Sequence, residues 1–567
     1  MSKIVGIDLG TSTSEIAVLR DGKAFVIPNG KGQIITPSAV LVEENGNVTV
    51  GLDAVEQLIL RPQDTVIEVK RKMGSKEKII MAGREYSAIE VSSFILKYLK
   101  ECAEQSLGEI ITRAVITVPA YFTDEQRRAT VEAGKLAGFN VERIINEPTA
   151  AALAYGIEHM GDNSNVLVYD LGGGTLDVTV LEMFDGVLEV KASSGNNKLG
   201  GKDFDQRIMD RLISYAKTEH DIDLTSDLRA MARLKKEAES SKIALSLEEQ
   251  YEILLPFVAE KNGEPINLKY TLTRKIFEEL IKDLVESTRE PLNKALKDSG
   301  LKVEEIEIIL LVGGSTRVPM IKDFLKDIFQ KEPESLVDPD LAVVMGAAIQ
   351  SGILNNEFSE ETDILITDVC PYTLGIETLS YINGMPVEDI YSVLLYRNTT
   401  IPVVKEEIYS TVSDNQDSVE IKIYQGDNKR ASKNNSLGTF MLSEIPKGPG
   451  GKEKIKVKFI YDVNGILQVE ATILSTGESA GLSIETTGVS MAKEIDLSKW
   501  EEAPKAKEYK RLIHRTERKF KNGDNPYNDE IEEIINDFKR ALIEEWEDTE
   551  LKRLEEDLNE LLFEMEE

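Results

Sequence analysis

Apolar and polar positions along the chain follow three successive patterns. Up to about residue 355, short apolar runs alternate with segments in which apolar residues recur every three or four positions. The runs lie at residues 3–9, 114–118, 165–170 and 306–312, and the helical segments include residues 94–107 and 274–296. Runs of this length between polar turns are typical of buried strands. Residues 1–358 are therefore predicted to form an α/β domain.

The pattern changes after residue 358. Residues 359–369 place Ile364, Leu365 and Ile366 among acidic residues, which predicts a linker that can also dock. From 370 to 489 apolar and polar residues alternate, which is typical of half-buried antiparallel strands and favours a sandwich. Residues 490–567 return to helical spacing, and their apolar stripes at 531–542 and 551–565 predict the inner faces of a helical bundle.

Two stretches near the start of the chain repeat each other. Residues 5–11 and residues 168–175 both read as an apolar strand, an Asp, a Gly-containing turn and a Thr, and their Asp residues are 162 positions apart. Two related halves that face each other could hold one ligand from both sides.

The chemistry of these turns suits phosphate. Backbone N–H groups approach a phosphate closely where glycine removes the Cβ, and a carboxylate at the strand end can hold Mg²⁺ through water. A third Gly-rich turn, residues 311–319, ends in Ser-Thr-Arg and suits a flat base. Each turn alone is more simply a structural turn, but together they favour a nucleotide clamp. No Gly-Lys pair is followed by Ser or Thr, which excludes a P-loop.

Composition excludes several other classes. The 567 residues carry 67 basic and 100 acidic side chains, a net charge of −33, so nucleic acid and anionic membranes are not expected partners. Two cysteines and three histidines exclude a disulfide framework, a thiolate zinc site and histidine-based catalysis. Asp8 interrupts the first apolar run, and no run is long enough to span a membrane, so we expect a cytoplasmic protein.

Several motifs together resemble one family. The repeated turns, Ala-Val-Ile-Thr-Val-Pro-Ala-Tyr-Phe at 114–122 and Ile-Ile-Asn-Glu-Pro-Thr-Ala-Ala-Ala at 144–152 are similar to the Hsp70 chaperones of bacteria, over residues 3 to about 490. Residues 367–372 and the short tail look most like the HscC-type branch. The resemblance implies a two-lobed actin-like ATPase domain, then an antiparallel β-sandwich that binds peptide, then a short α-helical lid. It also implies slow ATP hydrolysis coupled to capture and release of extended apolar segments of client proteins, with roles in protein folding and the stress response.

The resemblance also implies the roles of single residues. Asp8 and Asp170 would hold hydrated Mg²⁺, with K⁺ as a further ion, and Lys70 would position the attacking water. The other residues implied around ATP or ADP are Gly10, Thr11, Ser12, Glu147, Gly172, Gly173, Gly174, Thr175, Asp177, Glu239, Lys242, Ser246, Gly313, Gly314, Ser315, Arg317 and Asp340. In isolation, Lys70 would be interpreted as a solvated lysine. Ile243 stands where animal cytosolic relatives have Arg, which predicts altered nucleotide affinity.

A second set is implied for peptide and for coupling. The peptide channel would be lined by Ile376, Thr378, Leu379, Tyr409, Val412, Val419 and Ile421, although alternation alone would favour ordinary core. Leu379, Val412 and a longer loop at 380–397 depart from the usual pattern. Coupling would involve Pro119, Arg127, Arg143, Asn146, Ile364, Leu365, Ile366 and Asp368. Pro119 could simply end a strand, and Asp368 could be a solvated loop acid.

The expected partners are unfolded polypeptides, a J-domain co-chaperone and a nucleotide exchange factor. Two alternatives remain open at this stage. A small-molecule kinase could use the same clamp, although residues 370–567 would then have no explanation. An ATP-switched scaffold or holdase could serve a few clients with little hydrolysis.

Overall fold

The structure is a computed structural model of the chain. It describes residues 3–157, 159, 163–184, 186–261, 263–334, 338–358, 365–382, 385–483, 500, 503–520, 535–536, 538–539, 541–542, 551–552 and 554. The chain divides into two compact units, Met1–Gly488 and Val489–Glu567. The predicted nucleotide clamp, linker and sheet module all belong to the first unit.

The first half of the clamp comprises residues 3–157. Its strands are β1 Ile4–Leu9, β2 Thr13–Arg20, β3 Lys23–Val26, β4 Thr36–Pro37, β5 Ala39–Val42, β6 Val48–Val50, β7 Thr65–Ile67, β8 Ile79–Met81, β9 Arg84–Tyr86, β10 Arg113–Val118 and β11 Asn140–Asn146. Its helices are α1 Leu52–Gln57, α2 Ala88–Leu107, α3 Asp124–Leu136 and α4 Glu147–Gly156, with a 3₁₀ turn at Val69–Lys72. The main sheet has the order β11-β10-β1-β2-β3. Helix α2 begins before the predicted residue 94 because Ser87 and Glu90 form a capping box at its start.

The second half comprises residues 163–358. Its strands are β12 Ser164–Leu171, β13 Leu176–Phe184, β14 Val187–Asn196, β15 Gln250–Lys261, β16 Glu264–Thr273 and β17 Ile308–Val312. Its helices are α5 Gly201–His220, α6 Leu228–Leu245, α7 Arg274–Ser287, α8 Arg289–Ser299, α9 Pro319–Phe329 and α10 Ala342–Leu354, with 3₁₀ turns at Val303–Glu305 and Gly314–Arg317. The prediction of one helix over 274–296 is wrong in one respect. The structure has two helices there, which meet at Thr288. Pro291 has no N–H to donate to a carbonyl of the preceding turn, so the helix breaks there.

The repeat seen in the sequence is also a repeat in the fold. Strand β1 pairs antiparallel with β2 and parallel with β10, and strand β12 pairs antiparallel with β13 and parallel with β17. The turn after β1 and the turn after β12 therefore leave equivalent positions of two equivalent sheets. Helix α10 packs on β1 and β2, with Ala17, Val344 and Ala348 buried between them.

The linker continues the sheet of the second half. Strand β18, Leu365–Val369, pairs parallel with β14, and Leu365 lies opposite Val187. Ile366 packs against the apolar cluster that contains Leu188 and Val190. The sequence predicted that this segment docks, and Leu365 and Ile366 do so, while Ile364 lies outside the described residues.

The sheet module that follows is a sandwich. Its strands are β19 Leu374–Ile382, β20 Met385–Leu395, β21 Thr400–Ile401, β22 Val403–Ser410, β23 Val419–Gln425, β24 Asn435–Leu442, β25 Lys454–Tyr461, β26 Leu467–Ile473 and β27 Ser479–Ser483, with a 3₁₀ turn at Ala431–Lys433. Two antiparallel sheets, β20-β19-β23-β24 and β22-β25-β26-β27, enclose a core that includes Ile423, Val457 and Phe459. Strand β21 pairs instead with the linker strand β18.

The second unit is described only in part. Helix α11 spans Ala506–Phe520, and Ile513 is buried in a cluster with Trp500, Phe538 and Leu542. The predicted stripes thus reach a core at their described positions, and the rest of the predicted lid lies outside the described residues. Among the described helices, none has the length and apolar character needed to cross a membrane. Cys102 and Cys370 are both buried and unpaired.

Candidate functional site

The three Gly-rich turns meet around one cavity of about 330 Å³. The predicted residues that line it are Asp8, Gly10, Thr11, Ser12, Lys70, Glu147, Asp170, Gly172, Gly173, Thr175, Glu239, Lys242, Gly313, Gly314, Ser315, Arg317 and Asp340. Gly174 and Asp177 do not line it, and Ser246 lines an adjoining cavity of about 470 Å³. Thr13, Pro339 and Val343 also line the clamp, and no motif in the sequence singled them out.

Glycine is required where the turns touch. A Cβ on Gly173 would lie 2.1 Å from the Ser12 hydroxyl oxygen, so the turns of the two halves meet there. Gly313 has a φ of 81°, and its Cβ would lie 2.5 Å from the Leu171 carbonyl oxygen. These close approaches bring backbone amides of all three turns to the same cavity.

A buried ion pair forms the floor of the cavity. The Lys70 ammonium donates to the Glu147 carboxylate, and both side chains are almost fully buried. Burial opposes the charge on Lys70, but Glu147 and Asp8 overcome it and raise the pKa of Lys70, so the ammonium is retained. Burial also raises the pKa of Glu147 to about 7, although the ammonium acts in the opposite direction. Such a pair can hold a water molecule and exchange a proton near neutral pH.

The Asp residues of the two halves face this pair. Thr117 donates a hydrogen bond of 2.8 Å to Asp8, and burial raises the pKa of Asp8. Asp170 Oδ2 is buried without a hydrogen-bond partner, and burial with the charge of Glu147 holds the pKa of Asp170 well above its usual range. Within the described ranges, no three acidic, His or Cys side chains converge closely enough to ligate a metal directly. Buried carboxylates that do not converge as a direct ligand set fit a cation that keeps its own water.

Asp177 is held by backbone rather than by side chains. The N–H groups of Ala120 and Tyr121 donate to its two carboxylate oxygens over 3.2 and 3.1 Å. Burial raises the pKa of Asp177 to about 6, against these donors. The carboxylate therefore joins strand β13, just after the cavity-lining Thr175, to the turn after strand β10.

One acidic residue beside the cavity has no counterpart in the sequence predictions. Glu15 on β2 lies directly opposite Asp8 on β1, and it is 1 % exposed. Its Oε1 has no hydrogen-bond partner, and burial with the charge of Asp8 raises its pKa far above the ordinary value. Directly opposed residues of an antiparallel pair share one face, so the pairing of β1 with β2 was the signal that could have located it.

The side of the cavity predicted for adenosine is partly closed by ion pairs. Arg317 Nη2 contacts Asp340 at 2.8 Å, and Lys242 contacts Asp205 at 2.8 Å. Glu239 is paired with Lys202 at 2.7 Å. Ile243 is 59 % exposed and lines both cavities, which leaves an apolar wall for a flat base.

A second groove lies in the sandwich. It has a volume of about 910 Å³, and the predicted peptide-lining residues all border it: Ile376, Thr378, Leu379, Tyr409, Val412, Val419 and Ile421. Val412 is 49 % exposed, whereas Ile376 and Ile421 are nearly buried and also reach the core. The groove thus offers apolar side chains at its floor and β-strand backbone at its walls, as an extended peptide requires.

Most of the predicted coupling residues meet between clamp and sandwich. Arg127 donates to the Ala120 carbonyl at 2.9 Å, to Asn146 at 2.7 Å and to the Asn464 carbonyl at 3.3 Å. Asp368 accepts a hydrogen bond of 3.0 Å from Thr149. Pro119 is buried at the end of β10. Burial lowers the pKa of Arg143, although the charge of Asp368 acts in the opposite direction. Asp368 is thus not a solvated loop acid.

Other contacts of this junction were missed by the sequence analysis. The turn between β25 and β26 presents Asn464 to the Ile144 N–H at 2.8 Å, and Asp124 accepts from the Leu467 N–H at 2.7 Å. Arg397 makes two hydrogen bonds with Asp298, of 2.7 and 3.1 Å. These partners are distant in sequence and carry no motif, so only the fold brings them together.

Comparisons with known proteins agree with this architecture. A family model described as "Hsp70 protein" matches residues 4–82 and 76–567. A protein called "Chaperone protein DnaK", from Thermosipho melanesiensis (strain DSM 12029 / CIP 104789 / BI429), is 46% identical over 560 residues. That alignment covers 95% of this chain and 92% of the relative.

Proposed function

The chain belongs to the Hsp70 family of ATP-dependent chaperones, and from that premise we propose which domain and which residues carry out each step. The proposed nucleotide-binding domain is 1–358, the linker 359–369, the peptide-binding sandwich 370–489 and the helical lid 490–567. The convergence of three Gly-rich turns on the buried pair of Lys70 and Glu147 is the observation that carries the proposal.

In the proposed hydrolysis, backbone amides of the turns and the hydroxyls of Thr11 and Thr175 bind the phosphates. Lys70 holds the attacking water and opposes the charge that develops on the γ-phosphate. Glu147 orients Lys70 and accepts a proton, and Asp177 fixes the wall behind Thr175. Hydrolysis by such a site depends on positioning and charge neutralisation more than on covalent chemistry.

The metal is part of the same proposal. Asp8 and Asp170 would hold a hydrated magnesium ion, because their buried carboxylates, one with an unpartnered oxygen, match its need for charge. Magnesium, when bound, supplies charge neutralisation at the phosphates. Potassium is a further candidate ion beside these carboxylates.

The groove in the sandwich would take an extended apolar segment of a client. Strand backbone would pair with the segment, and Ile376, Val419 and Ile421 would receive one Leu-sized side chain. The exposed Val412 and neighbouring Leu379 would set the preference at the rim.

The described arrangement, with β18 in the clamp sheet, would be the state that ATP favours. In that state the groove would bind peptide weakly, and after hydrolysis the linker would leave the sheet and the groove would bind tightly. A ligand shifts such an equilibrium by its different affinities for the two states.

The partners and location complete the proposal. A J-domain co-chaperone would act where Arg143, Asn146 and Asp368 lie together, and an exchange factor would restore the nucleotide-free clamp. The protein would work in the cytoplasm, and the chain would belong to the HscC-type branch.

The test is single-turnover ATP hydrolysis with and without a Leu-rich extended peptide. We expect the parent to respond to peptide, and Lys70→Ala to hydrolyse at least about 100-fold more slowly, because a charge-stabilising donor is lost. Normal hydrolysis by Lys70→Ala would contradict the site. Phosphate transfer to a sugar, with no response to peptide, would favour a kinase instead. Switching of peptide affinity by ATP with negligible hydrolysis would favour a scaffold.

A further inference from the structure

Tyr372 lies at the point where the linker strand ends and the sandwich begins. Its hydroxyl donates a hydrogen bond to the Tyr121 carbonyl, which belongs to the clamp. The rings of these two tyrosines are also in contact, with centroids 4.6 Å apart at 49°. Burial raises the pKa of Tyr372, so the hydroxyl remains a donor.

Tyr121 connects this contact to Asp177, two residues after the cavity-lining Thr175. Its own N–H donates to Asp177 Oδ1 at 3.1 Å, beside the Ala120 N–H on Oδ2. The Tyr121 carbonyl accepts from Asn197 at 2.7 Å as well as from Tyr372. One residue therefore holds the Asp177 carboxylate through its amide and the sandwich through its carbonyl.

Tyr372 is equally fixed on the side of the peptide groove. The next residue, Thr373, donates to Asp427 at 2.6 Å, and its carbonyl accepts from the Tyr391 hydroxyl at 3.0 Å. Strand β19 starts at Leu374, and Ile376 on that strand lines the groove. Tyr372 thus lies two positions before the first residue of β19, and the residue between them is hydrogen-bonded within the sandwich.

We propose that Tyr372 is a positioning residue that holds Asp177 in a resting arrangement while the sandwich is docked. This inference rests on the proposed function, because it assigns to Tyr372 part of the coupling between peptide and hydrolysis. When peptide moves β19, Tyr372 leaves Tyr121, whose carbonyl then loses a donor and whose ring loses its partner. The backbone at 120–121 is then free to readjust, and Asp177 moves with it.

The test uses Tyr372→Phe, which removes the hydroxyl and keeps the ring. Tyr270→Phe is the matched control, because it also removes only a hydroxyl, which accepts a hydrogen bond of 3.0 Å from Arg211 in the clamp, and Tyr270 does not line the nucleotide cavity. Single-turnover hydrolysis is measured with the full chain, with and without a saturating Leu-rich peptide. Peptide affinity in ADP is measured alongside.

We expect Tyr372→Phe to raise hydrolysis without peptide by roughly 2- to 10-fold, as loss of one net hydrogen bond implies. The rate with peptide and the peptide affinity in ADP should stay at the parent values, so the stimulation falls by the same factor. Tyr270→Phe should keep the parent's stimulation. If Tyr372→Phe changes the hydrolysis rates with and without peptide by the same factor, or changes neither, the inference is overturned and the proposed function stays intact. A parent that ignores peptide would overturn both.

Discussion

At the scale of single residues, Glu15 is a buried acid that has no role in the proposed hydrolysis. It is buried opposite Asp8, with a carboxylate oxygen that lacks a partner. An acid whose pKa is raised on folding stabilises the folded state only below its ordinary pKa, and that contribution is lost as pH rises through the folded value. Glu15 should therefore destabilise the nucleotide-free protein at neutral and higher pH.

We predict that Glu15→Gln raises the stability of the nucleotide-free protein at pH 8 by about 1–3 kcal/mol, because the amide cannot ionise and each unit by which folding raises a pKa costs about 1.4 kcal/mol at high pH. The difference from the parent should shrink as pH falls through the ordinary pKa of Glu and vanish near pH 3, where Glu15 is protonated in both the folded and unfolded chains. Thermal unfolding at the two pH values measures this. Glu44→Gln, at an exposed position, is the control and should show no such trend. A gain that is independent of pH would contradict the prediction.

The raised pKa values of the buried acids also predict that protons are released when nucleotide binds. Burial raises the pKa of Glu147 to about 7 and of Asp177 to about 6, and it raises those of Asp8 and Asp170 too. A bound cation favours their ionised forms, so protons must leave. Calorimetry of Mg-ADP binding at pH 6.5, in buffers of different ionisation enthalpy, should detect about one proton released. At pH 8.5 the release should be smaller, because Glu147 and Asp177 are then ionised before the nucleotide binds, and equal release at both pH values would count against their raised pKa values.

At the scale of elements, the linker strand β18 packs Ile366 and Val369 against the apolar cluster of the clamp. Ile366 packs on the apolar cluster of the clamp, whereas its neighbour Leu365 is 57 % exposed. We predict that Ile366→Asp weakens the docking of β18 by about 2 kcal/mol, because a carboxylate against this apolar cluster loses water without gaining a partner. Stimulation by peptide should be lost, and proteases should cut the linker in the presence of ATP.

Leu365→Asp is the matched control, with the same substitution at the adjacent, exposed position. It should keep most of the stimulation and of the protection from protease. If both variants lose them equally, the charge itself and not the packing of Ile366 is responsible.

The elements also show what the sequence could predict. The period of two located the strands of the sandwich, and the repeat of Asp8 and Asp170 located the two turns that clamp one cavity, because both signals are local. Helix limits were less accurate, since the break at Thr288 and the capping of α2 by Ser87 depend on single residues. Contacts such as Asp124 with Leu467 are long-range and without a pattern, so they needed the fold.

At the scale of the whole molecule, the junction between clamp and sandwich uses charge. Arg397 is held by Asp298 in the clamp and by Asp427 in the sandwich. We predict that Asp298→Asn weakens docking by about 1 kcal/mol, the range for a partly exposed pair, and raises hydrolysis without peptide several-fold. Single-turnover rates at low and high salt measure this, because salt should diminish the difference between variant and parent.

The control for this prediction is Asp283→Asn, which breaks a surface pair with Arg207 inside the clamp. That variant should hydrolyse ATP like the parent at every salt concentration. The same rise in both variants would mean that the effect comes from the net charge of −33 and not from the junction.

The linker strand is covalently attached to the sheet edge that it completes. A short tether gives its end an effective concentration in the millimolar range at the nearby edge of β14. A free peptide with the sequence of the linker would therefore compete only when added at millimolar concentration. Each molecule would switch by itself, at a rate and to an extent that do not change when the protein is diluted.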